Sequence, residues 1–229
     1  MKIGILQTGH APDELLATEG DYDAMFRSLL AGEGFEFQTF NVVDGVFPDG
    51  PEAADAWLIT GSKHGAYEDH PWIPPLEELI RAISATSKPL IGVCFGHQII
   101  AQALGGTVEK FAGGWAVGRQ TYDMGGKKLA VNAWHQDQVV ALPPKTKVLA
   151  GNAHCENAVL MIGETILTIQ PHPEFGAGVI AGLIAHRGGA VPPEHLDQAK
   201  AALDSQTDRG IFRDMMVAHL KRQTAEATA

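Results

Sequence analysis

"KPLIGVCFGHQIIAQALGG", Lys88 to Gly106, reads first as a strand and then as a helix, and the junction decides how the rest is read. "PLIGV" is a short apolar run of the kind a strand covered on both faces requires. "FGHQIIAQAL" continues as a helix and stops at Gly105-Gly106. Cys94, one of two cysteines in 229 residues, stands at the turn between them. A strand that hands directly over to a helix is the building block of a parallel sheet with helices packed on its faces.

The preceding sequence repeats this alternation. "KIGILQT" (2–8) and "AWLIT" (56–60) are further apolar strands, and "FEFQTF" (35–40) alternates with period two. Tyr22, Met25, Phe26, Leu29 and Leu30 fall at helical spacing, with Gly32 and Gly34 able to stop the helix. Leu76, Leu79, Ile80 and Ile83 form one face of a helix that begins at the prolines of "HPWIPP". The first half therefore predicts a parallel sheet with helices on both faces.

From Thr107 to Gln170 the segments are short and β-rich: "VEKF", "GRQTYDM", "KLAVNAW", "DQVVAL", "KVLAGN", "AVLMI" and "ETILTIQ". These read as antiparallel strands and hairpins attached to, or continuing, the main sheet. After "PHPEF" the chain returns to helix over 176–186, 194–203 and 211–221, and the tail "TAEATA" (224–229) is expected to fray. With no internal repeat, low-complexity segment or long linker, 1–229 reads as one domain, its C-terminal helices starting near Gly176.

Seventeen Lys and Arg against 27 Asp and Glu leave a net charge of −10, which argues against nucleic acid as a partner. No run approaches the roughly 18 apolar residues of a membrane helix, so no membrane partner is expected. Two cysteines do not make a disulfide framework, and the strand-like start does not read as an export signal. Together these point to the cytoplasm.

Cys94 sits where α/β folds place ligand crevices, at the C-terminal edge of the sheet. Its sulfur lies at the positive end of a helix dipole, and the N–H of Phe95 is free to donate to an oxyanion. Gly92 and Gly96 flank it as small residues flank the nucleophile in a strained strand-to-helix turn. On these local grounds a buried structural cysteine explains "GVCFG" as well as a nucleophile does.

A cysteine nucleophile also needs a base and a group that orients the base. "TILTIQPHPEF" offers both. An apolar strand runs into Gln170-Pro171-His172-Pro173-Glu174, where prolines restrict the backbone on either side of the histidine. Glu174 is placed to accept from one ring nitrogen and fix the tautomer. Alone, His172 reads more readily as a satisfied surface histidine.

Taken together, "GVCFGHQ" and "QPHPEF" resemble the nucleophile and His–Glu motifs of the class I (triad-type) glutamine amidotransferases, in particular the stand-alone GMP synthase-like group. The resemblance implies Cys94 as nucleophile, His172 as base and then acid, and Glu174 as orienter. "LITGSKHGAYEDHPWI" resembles the family's oxyanion strand and loop, which implies the N–H groups of Gly61 and Phe95 as the oxyanion hole. "FAGGWAVG" resembles a segment lining the glutamine pocket. "AWHQDQV" resembles another pocket segment, with Gln136 where glycine is commoner. Implied substrate contacts are Gln98, Gly61, Ser62, Trp134, His135 and Gln136. The fold it implies is three-layer αβα and flavodoxin-like, a mixed and mostly parallel sheet with an antiparallel β extension.

That family's reaction needs no metal and no organic cofactor. It would hydrolyse the glutamine side-chain amide through a γ-glutamyl thioester, with ammonia passed to an acceptor on a separate synthase partner. A second reading keeps the triad and changes the substrate to γ-glutamyl amides or conjugates, hydrolysed without a partner. A third is a catalytically silent glutamine-sensing module.

Other features carry less. Ten histidines invite a metal reading, but His64, His70, His97, His135 and His154 lie in different segments without paired spacing, so no metal site is expected. "DMGGKK" lacks the spacing of a phosphate loop, so no ATP site follows. Cys155 lacks the turn setting of Cys94 and reads as a structural thiol. Phe111 and Trp115 read as pocket wall or core.

Overall fold

In the computed structural model, residues 1–226 are described, with side chains to 222. Of the tail expected to fray, 224–226 continue the last helix and 227–229 lie outside the described residues.

The strands are β1 Lys2–Leu6, β2 Glu36–Phe40, β3 Ala56–Ile59, β4 Leu90–Val93, β5 Thr107–Lys110, β6 Ala116–Met124, β7 Lys127–His135, β8 Asp137–Ala141, β9 Thr146–Ala150, β10 Val159–Ile162 and β11 Ile166–Ile169. The helices are α1 Asp13–Glu19, α2 Tyr22–Leu29, α3 Ile73–Ser84, α4 Phe95–Ala103, α5 Ala177–Arg187, α6 Pro193–Ala201 and α7 Arg209–Glu226.

Seven strands form one sheet in the order β2-β1-β3-β4-β11-β10-β9. The first five are parallel and the last two join antiparallel. This is the flavodoxin-like order, with the fifth parallel position filled from far down the chain. Leu58, Ile91 and Val93 face a cluster with Phe26 and Leu29 of α2 and Phe212, Met216 and Leu220 of α7. Trp57, Ile59 and Leu90 face Leu76, Ile80 and Ile83 of α3 and Ile99 and Ile100 of α4. Both faces are dry, which is why these strands read as unbroken apolar runs.

Two local readings are corrected. "ETILTIQ" is not an antiparallel appendage: β11 runs parallel to β4 in the register Ile169↔Val93. Its hairpin with β10 made it look antiparallel, but its other neighbour lies 76 residues away and is invisible to local pattern. Helix α1 was not foreseen, because only Leu15 of its seven residues is buried and no apolar stripe marks it.

The β-rich middle divides. β9 and β10 continue the main sheet, while β5-β8 and β6-β7 make separate two-stranded ribbons. "DMGGKK" is the β6–β7 turn, where Gly125 and Gly126 take φ of 61° and 88°. Two left-handed positions in succession suit a tight hairpin, not a phosphate cradle. No helix among the described residues is long and apolar enough to cross a membrane.

Candidate active site

Three adjacent parallel strands, β3, β4 and β11, end at the same edge of the sheet. Gly61 follows β3, Cys94 follows β4, and His172 lies three residues past the end of β11. Register does the alignment: Ile59 pairs with Gly92, and Ile169 with Val93. The Cys94 N–H is tied to the Ile169 carbonyl at 2.8 Å. The sheet therefore sets the cysteine in the middle, a backbone donor on one side and the histidine on the other.

The turn at Cys94 has φ 52° and ψ −104°, a conformation side-chain-bearing residues seldom adopt. Its tightness explains the flanking glycines. A Cβ at Gly92 would lie 2.4 Å from the Gly96 carbonyl oxygen, and one at Gly96 would lie 2.4 Å from that of Ile59. Helix α4 begins at the next residue, Phe95. Among the described residues, neither the Phe95 nor the Gly61 N–H meets a hydrogen-bond acceptor. A side chain at position 61 would strike the imidazole, since its Cβ would lie 2.9 Å from His172 Cε1 and 3.7 Å from Cys94 Cβ.

His172 is fixed on every side. Its backbone N–H donates to the Asn132 carbonyl at 2.7 Å. The Phe175 ring stacks on the imidazole, 3.9 Å between centroids and 3° from parallel. The Asn132 amide donates to the Phe175 carbonyl at 3.0 Å. Nδ1–H donates to Glu174 Oε1 at 2.6 Å, which leaves Nε2 for the Cys94 sulfur within hydrogen-bonding reach. Burial disfavours the imidazolium, but the Glu174 carboxylate and the Cys94 sulfur outweigh it and raise the His172 pKa. The loop is held from outside by Arg209 of α7, which donates to the Pro173 carbonyl at 3.0 Å and the Glu174 carbonyl at 3.3 Å.

Cys94 and His172 open onto a cavity of about 370 Å³, also lined by Gly61, Ser62, Gln98, Trp134, His135 and Gln136. These are all the substrate-contact positions expected from sequence. Glu174 and Phe95 are not among the residues that line it. The Gln98 side-chain amide donates to the Asp137 carbonyl at 2.9 Å and to Gln170 Oε1 at 3.2 Å, so only its oxygen remains for a ligand. Burial, reinforced by the charge of His172, lowers the His135 pKa to about 3 and keeps the ring neutral. Its Nδ1–H donates to the Asp137 carbonyl at 3.2 Å, so the unpartnered buried Nε2 is an acceptor.

Trp115 lines the cavity, whereas Phe111 packs against His154 at 5.1 Å. Cys155 is buried in the apolar cluster, and burial pushes its thiol up to about 12, as befits a structural cysteine. Sequence reasoning did not find Asn132, Arg209, or the cavity residues Tyr22, Lys63, Lys110 and Arg187. Each comes from an element whose docking no local pattern announces.

Fold and site together define a hydrolase built around a cysteine in a strained strand-to-helix turn. The family model for class-I glutamine amidotransferases matches residues 52–184. Over 235 residues the chain is 33% identical to gamma-glutamyl peptidase 4 of Arabidopsis thaliana, covering 93% of each chain. It is 30% identical over 162 residues to the glutamine-hydrolysing GMP synthase of Pyrobaculum aerophilum, covering 68% of this chain and 31% of that one. A crystal structure of a glutamine amidotransferase from Methylobacillus flagellatus superimposes with a TM-score of 0.78 at 21% identity, covering 96% of this chain and 92% of that chain. The chain belongs to the class-I glutamine amidotransferase family, and its activity is cysteine-dependent amide hydrolysis.

Proposed function

We propose that this chain hydrolyses γ-glutamyl amides through a thioester on Cys94, and that γ-glutamyl conjugates are its preferred substrates. The observation that carries the reading is the alignment of Gly61, Cys94 and His172 on three neighbouring strand ends, opening onto a shared cavity. The resemblance to a γ-glutamyl peptidase over nearly the whole chain supports the choice of substrate.

In the proposed cycle His172 Nε2 already holds the proton given up by the Cys94 sulfur, and the thiolate attacks the γ-carbonyl carbon. The Gly61 and Phe95 N–H groups receive the oxyanion, each such donor worth about 3 kcal/mol in other hydrolases. As the C–N bond breaks, His172 returns the proton to the leaving nitrogen. A water then attacks the thioester carbonyl while His172 accepts its proton. The C–S bond breaks, glutamate leaves, and the Cys94 thiolate is freed beside the His172 imidazolium that holds the water's proton. Glu174 holds the tautomer throughout. Gln98, Ser62, Trp134, His135 and Gln136 contact the γ-glutamyl group, and no cofactor enters.

The cavity supports a leaving group larger than ammonia. Its volume lies within the range of small-molecule sites, about 300–1,000 Å³, and Lys63, Lys110 and Arg187 put cations on the wall of an acidic protein. These suit the carboxylates of a γ-glutamyl peptide. A second reading is hydrolysis of glutamine itself, with ammonia delivered to a separate synthase; the match to GMP synthase favours it. The ordered triad weighs against a silent sensing module.

We read 1–229 as one domain, since α7 braces the catalytic loop through Arg209. Two free buried thiols fit a reducing compartment such as the cytoplasm.

The test is glutamate release from a panel of γ-glutamyl peptides and amides beside glutamine. Higher kcat/KM on peptides supports the peptidase reading. A preference for glutamine that rises when cell extract supplies a partner supports the second.

A further inference from the structure

His64, Glu68 and His70 are separated in sequence by three residues and then one, a spacing without a familiar metal signature. The loop after β3 nevertheless folds them into one cluster. One ligand atom from each lies within 4.8 Å of the others. Glu68 Oε2 is 3.3 Å from His64 Nδ1 and 2.7 Å from His70 Nε2. Ligand atoms around a tetrahedral zinc ion stand roughly 3.3 Å apart, given metal–ligand bonds of about 2.0–2.2 Å. Glu68 Oε2 already stands at that separation from His64 Nδ1, and it lies closer to His70 Nε2, to which it is hydrogen bonded.

The rings are also positioned. Trp72 stacks on His70 at 5.8 Å and 9°, and meets His64 at 5.9 Å and 67°. The same indole packs against Phe95, whose N–H is assigned to the oxyanion hole, at 5.5 Å. Tyr67, inside the loop, lines the cavity together with Asp137. His64 and Glu68 both line the cavity that holds Cys94.

We propose that His64 Nδ1, Glu68 Oε2 and His70 Nε2 form a three-ligand zinc site with its fourth position open at the wall of the substrate cavity. Two imidazoles and one carboxylate are a ligand set zinc accepts when it keeps an exchangeable fourth ligand. Water fills that position, or an anionic group of whatever occupies the cavity. Zinc binding here does not depend on which γ-glutamyl compound is hydrolysed.

The experiment titrates zinc into the full chain carrying Cys94→Ser, which removes the competing thiol beside His172, and follows heat and the thermal midpoint. One zinc per chain and a raised midpoint are expected, and cobalt in its place should give visible bands of a four-coordinate site without thiolate. His64→Ala and His70→Ala should each weaken binding beyond the roughly 10–100-fold that loss of an outer-shell partner costs. Glu68→Gln, which keeps size and hydrogen bonding, should weaken it too, and it serves should either histidine variant fail to fold. Absence of zinc binding in Cys94→Ser overturns the proposal. So does binding that survives all three changes, or that is lost instead with His10→Ala, whose ring is hydrogen bonded to Asp21 and Asp44.

Discussion

His172 Nδ1 lies 2.6 Å from Glu174 Oε1, and both side chains are buried. The carboxylate is the largest influence opposing burial, and it keeps the imidazole protonated well above its ordinary value of 6.5. Glu174→Gln should lower the His172 pKa and move the alkaline limb of kcat toward neutrality, because in the proposed cycle the leaving nitrogen takes its proton from this ring. Direct NMR titration of the histidine checks the shift.

The same pair makes a stability prediction. A histidine whose folded pKa is raised stabilises the fold fully below its unfolded pKa, and that contribution is lost as pH rises through the folded value. Wild-type stability should therefore decline above about pH 6.5 over a wide alkaline span. In Glu174→Gln the decline should end at a lower pH. Urea midpoints measured from pH 6 to 10 decide it.

Cys94 occupies its positive-φ turn at a cost, and strain of this kind amounts to about 1–3 kcal/mol. Cys94→Gly should be more stable than Cys94→Ala, although neither has a nucleophile. Gly96→Ala should lose about 1–3 kcal/mol, because its Cβ meets the Ile59 carbonyl and neither backbone can yield freely. Denaturant unfolding of the three variants tests both statements.

Arg209 reaches the catalytic loop from a helix that no motif marks. Arg209→Ala should lower kcat severalfold or more with little change in KM, since it frees two carbonyls of the His172 loop without touching the cavity. Arg187→Ala should do the reverse on γ-glutamyl peptides and raise KM, because Arg187 lines the wall. Steady-state kinetics on one peptide substrate separate the two effects.

Cys94 and His172 were legible as the proposed nucleophile and base because each sits in a short contiguous motif where a strand meets a turn. Gly92, Gly96 and the two prolines mark backbone requirements, and these show in local sequence. The parallel pairing of β11 with β4 was not legible, because strand order is fixed by partners distant in the chain. Asn132, Arg187 and Arg209 were missed for the same reason: each reaches the site through tertiary docking. The His64–Glu68–His70 cluster was hidden differently. Its residues are neighbours in sequence, but only the folded loop turns them toward one point.

The central claim is a γ-glutamyl thioester on Cys94. Incubating the protein with a γ-glutamyl peptide, quenching in acid and mapping intact mass and peptides tests it most directly. The account predicts an added γ-glutamyl group on the Cys94 peptide, removable by hydroxylamine and absent in Cys94→Ala. An adduct on Cys155, or undiminished glutamate release from Cys94→Ala, would contradict it.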